Sequence, residues 1–450
     1  MSWRETFKDR YFLTALAVSL VLHIGFFVAA EPWNSTSIES RLLVNDAQHY
    51  HDAAVGLTEG EGFDAIPTFR TPGYPLFVAT IYKVFGADRL WMPLAVQVVI
   101  NLMVLAFVFR IARELNKSLY AARFAAGLFA LSFLSAFYAT RLLTESLFTL
   151  VFLATIWAFF TAVKANSLLW FTSSGILLGV TTMVRPTTQF YGSVIIVAIL
   201  LAIHATGRRK ILAVAVFAVA NILVLAPWIG HNLDKHGSPQ LTSIQGHIAM
   251  EFMAADIVSR SEGISLTEAR EQLASELPET DNPFDLSKEK AELTASYVVG
   301  NPILFARKTI EGVVRSYAGT GQHIVVHEVL QLDEQIDGDP GEILSDRIKN
   351  VIAGSVTELI IGVLLFGKML GGHILLVLGL ILLMRRRERV LPVLVVATAA
   401  YFGLAAGAIG IGDGRLVVPL MPLFAVVSGV GAAPLWERVL RMKWRSVTVS

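Results

Sequence analysis

The 450-residue chain contains no cysteine, and only 16% of its residues are charged. The absence of cysteine excludes disulfides, thiol catalysis and cysteine-ligated metals. A soluble domain carries roughly 25% charged residues, so this chain has an unusually low charge content. Its net charge of +1 predicts neither nucleic-acid binding nor an acidic partner. The missing charge coincides with long apolar runs, which indicate a membrane protein.

These apolar runs predict the architecture. A membrane-spanning helix needs ~20 mostly apolar residues, because the hydrocarbon core is ~30 Å thick. The first run is longer than the ~7–15 apolar residues of a signal peptide, so we expect it to remain as an uncleaved span. We predict an all-α fold, a polytopic transmembrane helical bundle of about ten spans near residues 11–30, 91–109, 119–139, 145–163, 168–184, 187–206, 211–230, 364–384, 390–411 and 416–434.

Lysines and arginines beside the span ends predict the orientation, because cytoplasmic loops carry an excess of both. Here they cluster in alternate connections, from Arg4, Lys8 and Arg10 at the start to Arg438, Arg441, Lys443 and Arg445 at the end. An even number of spans with this alternation predicts that both termini are cytoplasmic. The opposite short connections, which carry only Arg141, Arg185 and Arg415, are then on the outer side.

Two long connections are predicted to face outward, at 31–90 and 231–350. In the second, polar and apolar residues alternate at helical spacing over 266–277 and 287–299, and prolines separate these stretches. We therefore divide the chain into a core at 1–235 with a helical, catalytic outer loop at 31–90, a small helical outer segment at 236–350, and C-terminal spans at 351–450. The apolar stretch 350–384 is too long for one span, so we expect its first half to form a separate interfacial helix.

The first outer loop carries the most informative polar residues. If it is helical, Asp46, His49 and Tyr50 share one face, with Asp46 near the helix start. A carboxylate at a membrane boundary can act as a general base. The alternative is a helix cap with a solvated face, which residue types alone favour for Asp46 and more strongly for Asp52. His49 and His51 point in different directions on a helix, which argues against a metal site.

Further along the same loop, a turn is predicted close to the membrane surface. Pro72 and Pro75 bracket a Gly-Tyr pair that contains Tyr74, and Arg70 precedes it. A short apolar helix over 76–85 should follow and lie in the interface.

Four charged residues at the outer ends of other spans complete the candidate set. Arg141 and Glu145 have i, i+4 spacing at the start of the fourth span, and this spacing allows them to pair with each other. Arg185 follows the fifth span and Arg415 precedes the last one. Arginine suits phosphate, because its planar fork of donors matches the phosphate oxygens. These arginines therefore indicate an anionic lipid headgroup, with simple membrane anchoring as an equal alternative.

The order of these clusters resembles the C-type membrane glycosyltransferases, in particular the bacterial branch related to protein O-mannosyltransferases and the aminoarabinose transferase of lipid A. The similar motifs are an Asp-x-x-x-Tyr-x-x-Ala pattern from Asp46, an Arg-x-Pro-Gly-Tyr-Pro segment from Arg70, Thr-Glu-Ser-Leu at 144–147, Arg-Pro at 185–186, Pro-Trp at 227–228, and Arg-x-x-x-Pro-x-x-Pro from Arg415. The resemblance covers 1–235 and the last spans, but not 236–350.

The resemblance implies a glycosyltransferase that moves a sugar from a polyprenyl-phosphate carrier to an acceptor on the outer face of the bacterial inner membrane. The acceptor is a lipid, a glycan or a protein, and no nucleic acid is involved. Asp46 is then the general base, and Arg415 and Arg185 hold the carrier phosphate. Glu145 and Arg141 shape the sugar pocket, and the remaining substrate-binding candidates are His49, Tyr50, Arg70 and Tyr74. Residues 41–45 carry no second acid beside Asp46, so we predict no metal or other cofactor, although a divalent metal stays open.

Three other functions remain as alternatives. A transporter or flippase for lipid-linked glycans should have polar residues and broken helices near the membrane midplane, whereas these charges lie at span ends. A glycan polymerase or ligase uses the same lipid substrates with a large late outer loop, which the segment 231–350 could supply. A structural membrane scaffold is the third.

Overall fold

The computed structural model describes residues 3–202, 206–318, 356–385, 390–410 and 415–447. Within these ranges the chain is helical and has no strand, which confirms the predicted all-α class. In chain order, the α-helices up to residue 236 are α1 (Trp3–Thr6), α2 (Arg10–Ala30), α3 (Ser35–Ser37), α4 (Asp46–Glu59), α5 (Gly73–Phe85), α6 (Trp91–Asn116), α7 (Leu119–Ala130), α8 (Phe133–Ala139), α9 (Glu145–Ala165), α10 (Leu168–Val184), α11 (Tyr191–Ala202) and α12 (Gly207–His236).

The later described residues continue in the same way. Their α-helices are α13 (Ile244–Ile248), α14 (Ala255–Glu262), α15 (Leu266–Ser275), α16 (Pro283–Gly300), α17 (Pro302–Ala318), α18 (Val356–Met384), α19 (Val390–Ile409) and α20 (Met421–Val447). Short π-helical or 3₁₀ segments join several of them, at Ile38–Leu42, Gly62–Ala65, Pro186–Thr188, Ala249–Ala254 and Val418–Leu420.

Helices lie at all ten predicted span positions. Seven are long and apolar enough to cross a membrane: Arg10–Ala30, Trp91–Asn116, Glu145–Ala165, Gly207–His236, Val363–Met384, Pro392–Ile409 and Val418–Arg438. The pair α7 and α8, bent by 54°, forms an eighth if it is counted as one span. The remaining two, Leu168–Val184 and Pro186–Ala202, are shorter apolar helices. A multi-pass membrane protein is therefore confirmed. Parts of the predicted spans 187–206 and 390–411 fall on residues 203–205 and 411, outside the described ranges.

One predicted feature is wrong. The first half of 350–384 does not form a separate helix in its described part, because α18 runs without a break from Val356 to Met384. Residues 350–355 lie outside the described ranges. No proline interrupts the helix, and the glycines Gly367, Gly371 and Gly372 each cost only about 1 kcal/mol in a helix interior, which does not break it.

The predicted helices of the two outer segments are present. The short apolar helix of the first is α5, and the two helical stretches of the second correspond to α15 and α16. Proline occupies the first turn of α16, where the missing N–H has no helical partner to lose. Residues 319–350 of the second segment lie outside the described ranges.

The two outer segments bind each other directly. The Ser243 amide donates to the Thr68 carbonyl at 2.9 Å, and the hydroxyls of the same two residues are 3.0 Å apart. Trp228, at the end of α12, is buried and packs edge-on against Phe63 with ring centroids 5.4 Å apart. These contacts hold the first outer loop against the ends of the spans.

A close backbone approach fixes the start of α5. A Cβ atom built on Gly73 would lie 2.6 Å from the backbone of Met183, near the end of α10. Only glycine allows this approach. The turn that carries Arg70 and Tyr74 is thereby held beside Arg185, which follows α10.

Candidate functional site

Asp46 is positioned by a tight turn. The Ala47 amide donates to the Val44 carbonyl at 3.1 Å. Asn45 has φ 51° and ψ −121°, the geometry of the first central residue of a type II′ turn. Asparagine is among the few residues other than glycine that tolerate a positive φ. The turn sets Asp46 as the first residue of α4, where the helix dipole favours a carboxylate.

Five charged side chains form one continuous network, which we call the charge network: Arg70, Asp46, Arg415, Glu145 and Arg185. Asp46 accepts from Arg70 through Oδ1 and from Arg415 Nη1 through Oδ2, the latter at 2.7 Å. Arg415 Nε donates to Glu145 Oε1, which also accepts from Arg185 Nη1 at 3.1 Å. Among the described residues, the three arginines and two carboxylates of the network carry one net positive charge.

The charge network opens at one end. Glu145 is 1% exposed and Arg185 14%, whereas the Asp46 side chain is 34% exposed. Burial acts to raise the pKa of Asp46, but Arg70 and Arg415 outweigh it and hold that pKa below the usual 3.8. Burial acts to lower the pKa of Arg415, but Glu145 and Asp46 outweigh it and raise that pKa. Asp46 is therefore the reachable carboxylate, and it is ionised.

An aromatic layer supports the Asp46 end of the network. The Tyr50 ring lies 4.8 Å from the Tyr74 ring, edge to face, and the Arg70 guanidinium lies 5.0 Å from the Tyr50 centroid. Burial raises the pKa of Tyr50 above 10.0, so it stays neutral. The predicted shared face is only partly realised: Asp46 and Tyr50 both contact Arg70, whereas exposed His49 packs against Phe69 at 5.0 Å.

Two buried amide side chains in α6, Gln97 and Asn101, connect the segments around the charge network. Neither was predicted from the sequence. Gln97 Oε1 accepts from the Tyr74 hydroxyl at 2.7 Å, and Gln97 Nε2 donates to the Arg141 carbonyl at 2.8 Å. One turn further on, Asn101 Nδ2 donates to Ser146 Oγ at 2.9 Å. These amides join the first outer loop to the segment that contains Glu145. The available signal was two amides at i, i+4 spacing inside an otherwise apolar span.

The predicted pairing of Glu145 is different in the structure. Its i, i+4 neighbour Arg141 has its guanidinium 4.8 Å from the Phe137 ring, and Glu145 binds Arg185 and Arg415. Arg185 reaches it because the backbone turns extended at the end of α10, with φ −151°. The following Pro186 disfavours helical geometry at Arg185.

The other polar residues of α4 have local partners. His51 Nδ1 lies 2.8 Å from the Tyr82 hydroxyl, and burial lowers the pKa of His51 below 6.5. Asp52 accepts from Gln48 at 2.7 Å. Among the described residues, no group of three or more His, Cys, Asp or Glu side chains is arranged to hold a metal ion. Metal dependence stays a prediction.

Comparison with known proteins supports the class of the protein. Residues 69–231 match the family model described as dolichyl-phosphate-mannose-protein mannosyltransferase. No curated protein matches the chain. Similar solved structures include the oligosaccharyltransferase AglB from Archaeoglobus fulgidus with an inhibitory peptide and a dolichol-phosphate, at 15% identity and a TM-score of 0.57, covering 98% of this chain and 52% of that one.

Two further structures are also similar. The oligosaccharyltransferase from the same archaeon in its apo form has 12% identity and a TM-score of 0.56, covering 99% of this chain and 53% of that one. ArnT from Cupriavidus metallidurans bound to undecaprenyl phosphate has 12% identity and a TM-score of 0.42, covering 94% and 77%. The last score is too low to support an inference.

The present chain spans about half the length of the archaeal oligosaccharyltransferase, and identities this low show the fold alone. The family match adds a sequence relationship over the end of the first outer loop, from residue 69, and the spans that follow up to residue 231. The likeness in fold and the family match over residues 69–231 agree with the resemblance that the motifs indicate.

Proposed function

We propose that the protein transfers a sugar from a polyprenyl-phosphate carrier to an acceptor hydroxyl at the outer face of the membrane. The observation that carries this proposal is the bridging position of Arg415, which binds both Asp46 and Glu145. A group that binds Arg415 therefore lies between a half-buried carboxylate and a fully buried one. This is the arrangement that a phosphate leaving group needs beside a general base.

The arginines are the proposed phosphate site. Guanidinium groups bind phosphate oxygens in a fork, and such charge-assisted bonds strengthen as negative charge develops on the leaving group. Arg70 and Arg415 are 16% and 21% exposed on their side chains, so both are accessible. Arg185 is about as exposed as Arg70, at 14%, and donates to Glu145 Oε1 at the buried end of the network.

Asp46 is the proposed general base. Its contacts with Arg70 and Arg415 explain how donor binding would increase its basicity. Two arginines hold its pKa below 3.8, which makes it a weak base. A carrier phosphate that binds Arg70 and Arg415 replaces the carboxylate as their partner, so the pKa of Asp46 rises. Donor binding therefore activates the base before the acceptor reacts.

Glu145 is a proposed contact of the sugar. Its Oε1 is bound by two arginines, whereas its buried Oε2 has no hydrogen-bond partner in the described part of the chain. A buried carboxylate oxygen without a donor is costly, and a sugar hydroxyl would satisfy it. Arg141, Tyr74 and His49 are the further proposed contacts, on the segments that border the network.

The proposed step balances without a cofactor. The bond between the anomeric carbon and the phosphate oxygen breaks, and its electron pair goes to the phosphate, which leaves as polyprenyl phosphate. The anomeric carbon develops oxocarbenium character and forms a new bond to the acceptor oxygen. The proton of the acceptor hydroxyl passes to the Asp46 carboxylate.

The proposed location is the outer face of the bacterial inner membrane, with both termini cytoplasmic. The alternation of lysines and arginines between connections supports this orientation. The proposed partners are the lipid-linked sugar, surrounding lipids, and a lipid, glycan or protein acceptor. The archaeal protein of similar fold binds a dolichol-phosphate and a peptide, which is consistent with a lipid-phosphate donor.

The test replaces Asp46 with asparagine. Purified Asp46→Asn protein is incubated with a panel of polyprenyl-phosphate sugars, and donor consumption is measured. We expect a loss of about 10²–10⁴-fold, the usual contribution of a general base, with unchanged folding. Asp52→Asn is the matched control, because Asp52 is exposed on the same helix and binds only Gln48 among the described contacts.

Near-normal turnover of Asp46→Asn would remove Asp46 as the base. If no donor of the panel is consumed by the wild type but a labelled lipid-linked sugar crosses a vesicle bilayer, the flippase alternative replaces the transferase.

A further inference from the structure

A second candidate site lies between helices away from the charge network. It is a cavity of about 160 Å³ bordered by α7, α8, α17, α18 and α20. Its lining is mostly apolar and includes Phe129, Leu365, Leu376, Met421 and Phe424. A cavity of this kind with a few converging polar groups is the usual form of a binding site for an amphiphilic molecule.

Of the polar side chains that line this cavity, Ser132, Tyr317, His373 and Ser428 each have a hydrogen-bond partner in the protein. The two that bear on ligand binding are Lys368 and Ser316. Lys368, inside an otherwise apolar span, donates to the Leu131 carbonyl at the break between α7 and α8, and its ammonium lies 5.6 Å from the Phe133 ring centroid. Ser316 is 5% exposed, and its Oγ has no hydrogen-bond partner in the described residues. A charge at this depth is costly and usually has a function, and a buried hydroxyl without a partner is also costly.

The helix that carries Lys368 lies at the periphery of the described bundle. In the Val363–Met384 span only 6% of the residues are buried inside the protein, so lipid can reach the helix that borders the cavity. Lys368 lies five residues from the start of that span, which corresponds to about 7.5 Å along a helix. At this depth a lysine reaches the headgroup region while its methylene stem stays among apolar groups.

We propose that this cavity binds the phosphate-bearing end of an anionic diacyl phospholipid from the surrounding leaflet. The phosphate accepts from Lys368 and from the Ser316 hydroxyl, and the acyl chains lie on the apolar lining and the exposed face of α18. A single cation matches the single negative charge of a phosphodiester. The three arginines of the charge network are the better match for polyprenyl phosphate, the monoester that the proposed transfer releases, which carries more negative charge than a phosphodiester.

One residue that lines the cavity is close in sequence to the candidate active site. Val417 lines the cavity and lies two residues after Arg415. A phospholipid that fills the cavity supports this segment. Its binding is a separate property from the proposed sugar transfer and does not depend on it. Anionic lipid should then stabilise the protein whether or not the chain transfers a sugar.

The first experiment separates charge from hydrogen bonding at Lys368. Detergent-purified full-length protein is titrated with phosphatidylglycerol, and binding is followed by native mass spectrometry. Lys368→Gln keeps an N–H donor for the Leu131 carbonyl but loses the charge, so we expect at least fivefold weaker binding with unchanged folding. Lys83→Gln, which removes an exposed lysine at the end of α5, should leave binding unchanged.

The second experiment uses the unpartnered hydroxyl. If Ser316 were simply a buried hydroxyl, Ser316→Ala would raise or preserve thermal stability and leave lipid binding unchanged. We expect stability in lipid-free detergent to be preserved but phosphatidylglycerol binding to weaken at least threefold. Ser173→Ala is the control, because its hydroxyl bonds to its own helix at the Leu169 carbonyl.

Three results would overturn the assignment. Phosphatidylcholine could bind as tightly as phosphatidylglycerol, which would remove the charge argument. Polyprenyl phosphate could compete with phosphatidylglycerol and lose affinity in Lys368→Gln, which would make the cavity a carrier site. Equal phosphatidylglycerol binding by wild type, Lys368→Gln and Ser316→Ala would remove the site altogether.

Discussion

The two outer segments use the same residue types in opposite ways. In the first, Asp46 binds Arg415, which lies 369 positions away along the chain. In the described part of the second, acids and bases pair mainly within one helix, as in Arg260 with Asp256 at 2.9 Å and Arg307 with Glu311 at 2.8 Å.

Burial accompanies this difference. Asp46 is 34% exposed, much like Glu311 at 30%, but the network that Asp46 joins ends at Glu145, which is 1% exposed. Solvated pairs at helical spacing contribute little, about 0.3–0.5 kcal/mol each, so they support a surface. Buried charges that meet from distant segments are retained at a cost in desolvation, which points to chemistry. The comparison shows that two properties distinguish a candidate site from a solvated face better than residue type does. They are the separation of the paired residues along the chain and their burial.

The strongest test of this difference substitutes two arginines that each bind two acids. Arg415 bridges Asp46 and Glu145, and Arg260 bridges Asp256 and Glu311. Arg415→Ala leaves Glu145 with Arg185 and Asp46 with Arg70 as remaining partners. Because two charge-assisted hydrogen bonds are lost, the free energy of unfolding should fall by about 3 kcal/mol, with donor binding reduced at least 100-fold. Arg260→Ala should cost at most about 1 kcal/mol and leave donor binding unchanged. Chemical denaturation and donor titration measure both.

Equal effects of the two substitutions would contradict the distinction between the segments. Unchanged donor affinity in Arg415→Ala would remove its proposed phosphate role.

A second test uses pH, because the segments should respond in different windows. Burial lowers the pKa of Lys308, on α17, from 10.5 to about 8. Between these values the unfolded chain binds a proton that the folded chain does not, so stability should rise with pH by about 3 kcal/mol. The difference in unfolding free energy between wild type and Lys308→Gln, measured from pH 7 to 11, isolates this contribution.

Asp46 should make stability rise with pH in the same sense, but in an acidic window. Its pKa is lowered below 3.8, so its contribution to stability is present above pH 3.8 and is lost as the pH falls through the lower folded value. The comparison of wild type with Asp46→Asn below pH 5 measures it. A pH-independent difference in either experiment would show that the group has no perturbed pKa.

A third, smaller effect concerns the buried amides beneath the site. Gln97→Leu leaves the Tyr74 hydroxyl and the Arg141 carbonyl without their partner, so we expect a loss of about 2 kcal/mol and a lower turnover number. Gln272→Leu, in the second segment, removes a contact of 3.4 Å to Glu262 on the surface and should change stability by less than about 0.5 kcal/mol. Denaturation and donor consumption follow both. Full turnover in a folded Gln97→Leu protein would show that the amide does not position the site.

The smallest expected effect is the loss of a helix cap. Ser265 and Glu268 form a reciprocal capping box at the start of α15. Ser265→Ala should cost about 1 kcal/mol and leave sugar transfer unchanged. Hydrogen exchange over Leu266–Ser275 and an activity assay measure the two results. A loss of transfer would mean that the second segment is coupled to the site more tightly than its local ion pairs indicate.

Much of the fold was predictable because bilayer thickness sets helix length, and hydropathy records it. The helices at the ten predicted positions, and α5, α15 and α16 outside them, follow from apolar runs, helical spacing and proline. The prediction of a separate interfacial helix in the first half of 350–384 was wrong, because the length of an apolar run does not show where a helix breaks. Asp46, Glu145 and Arg415 were nominated by motif order, whereas their roles stay predictions.

The sequence by itself determined that this is a helical membrane protein and which polar residues lie at span ends, because both depend on local composition. Only the tertiary structure decided which of those residues meet. Spacing favoured Arg141 as the partner of Glu145, yet Arg185 and Arg415 bind it. The reason is physical: a buried charge takes the partner that packing brings nearest, and packing depends on contacts such as Gly73 against Met183 that no local pattern encodes.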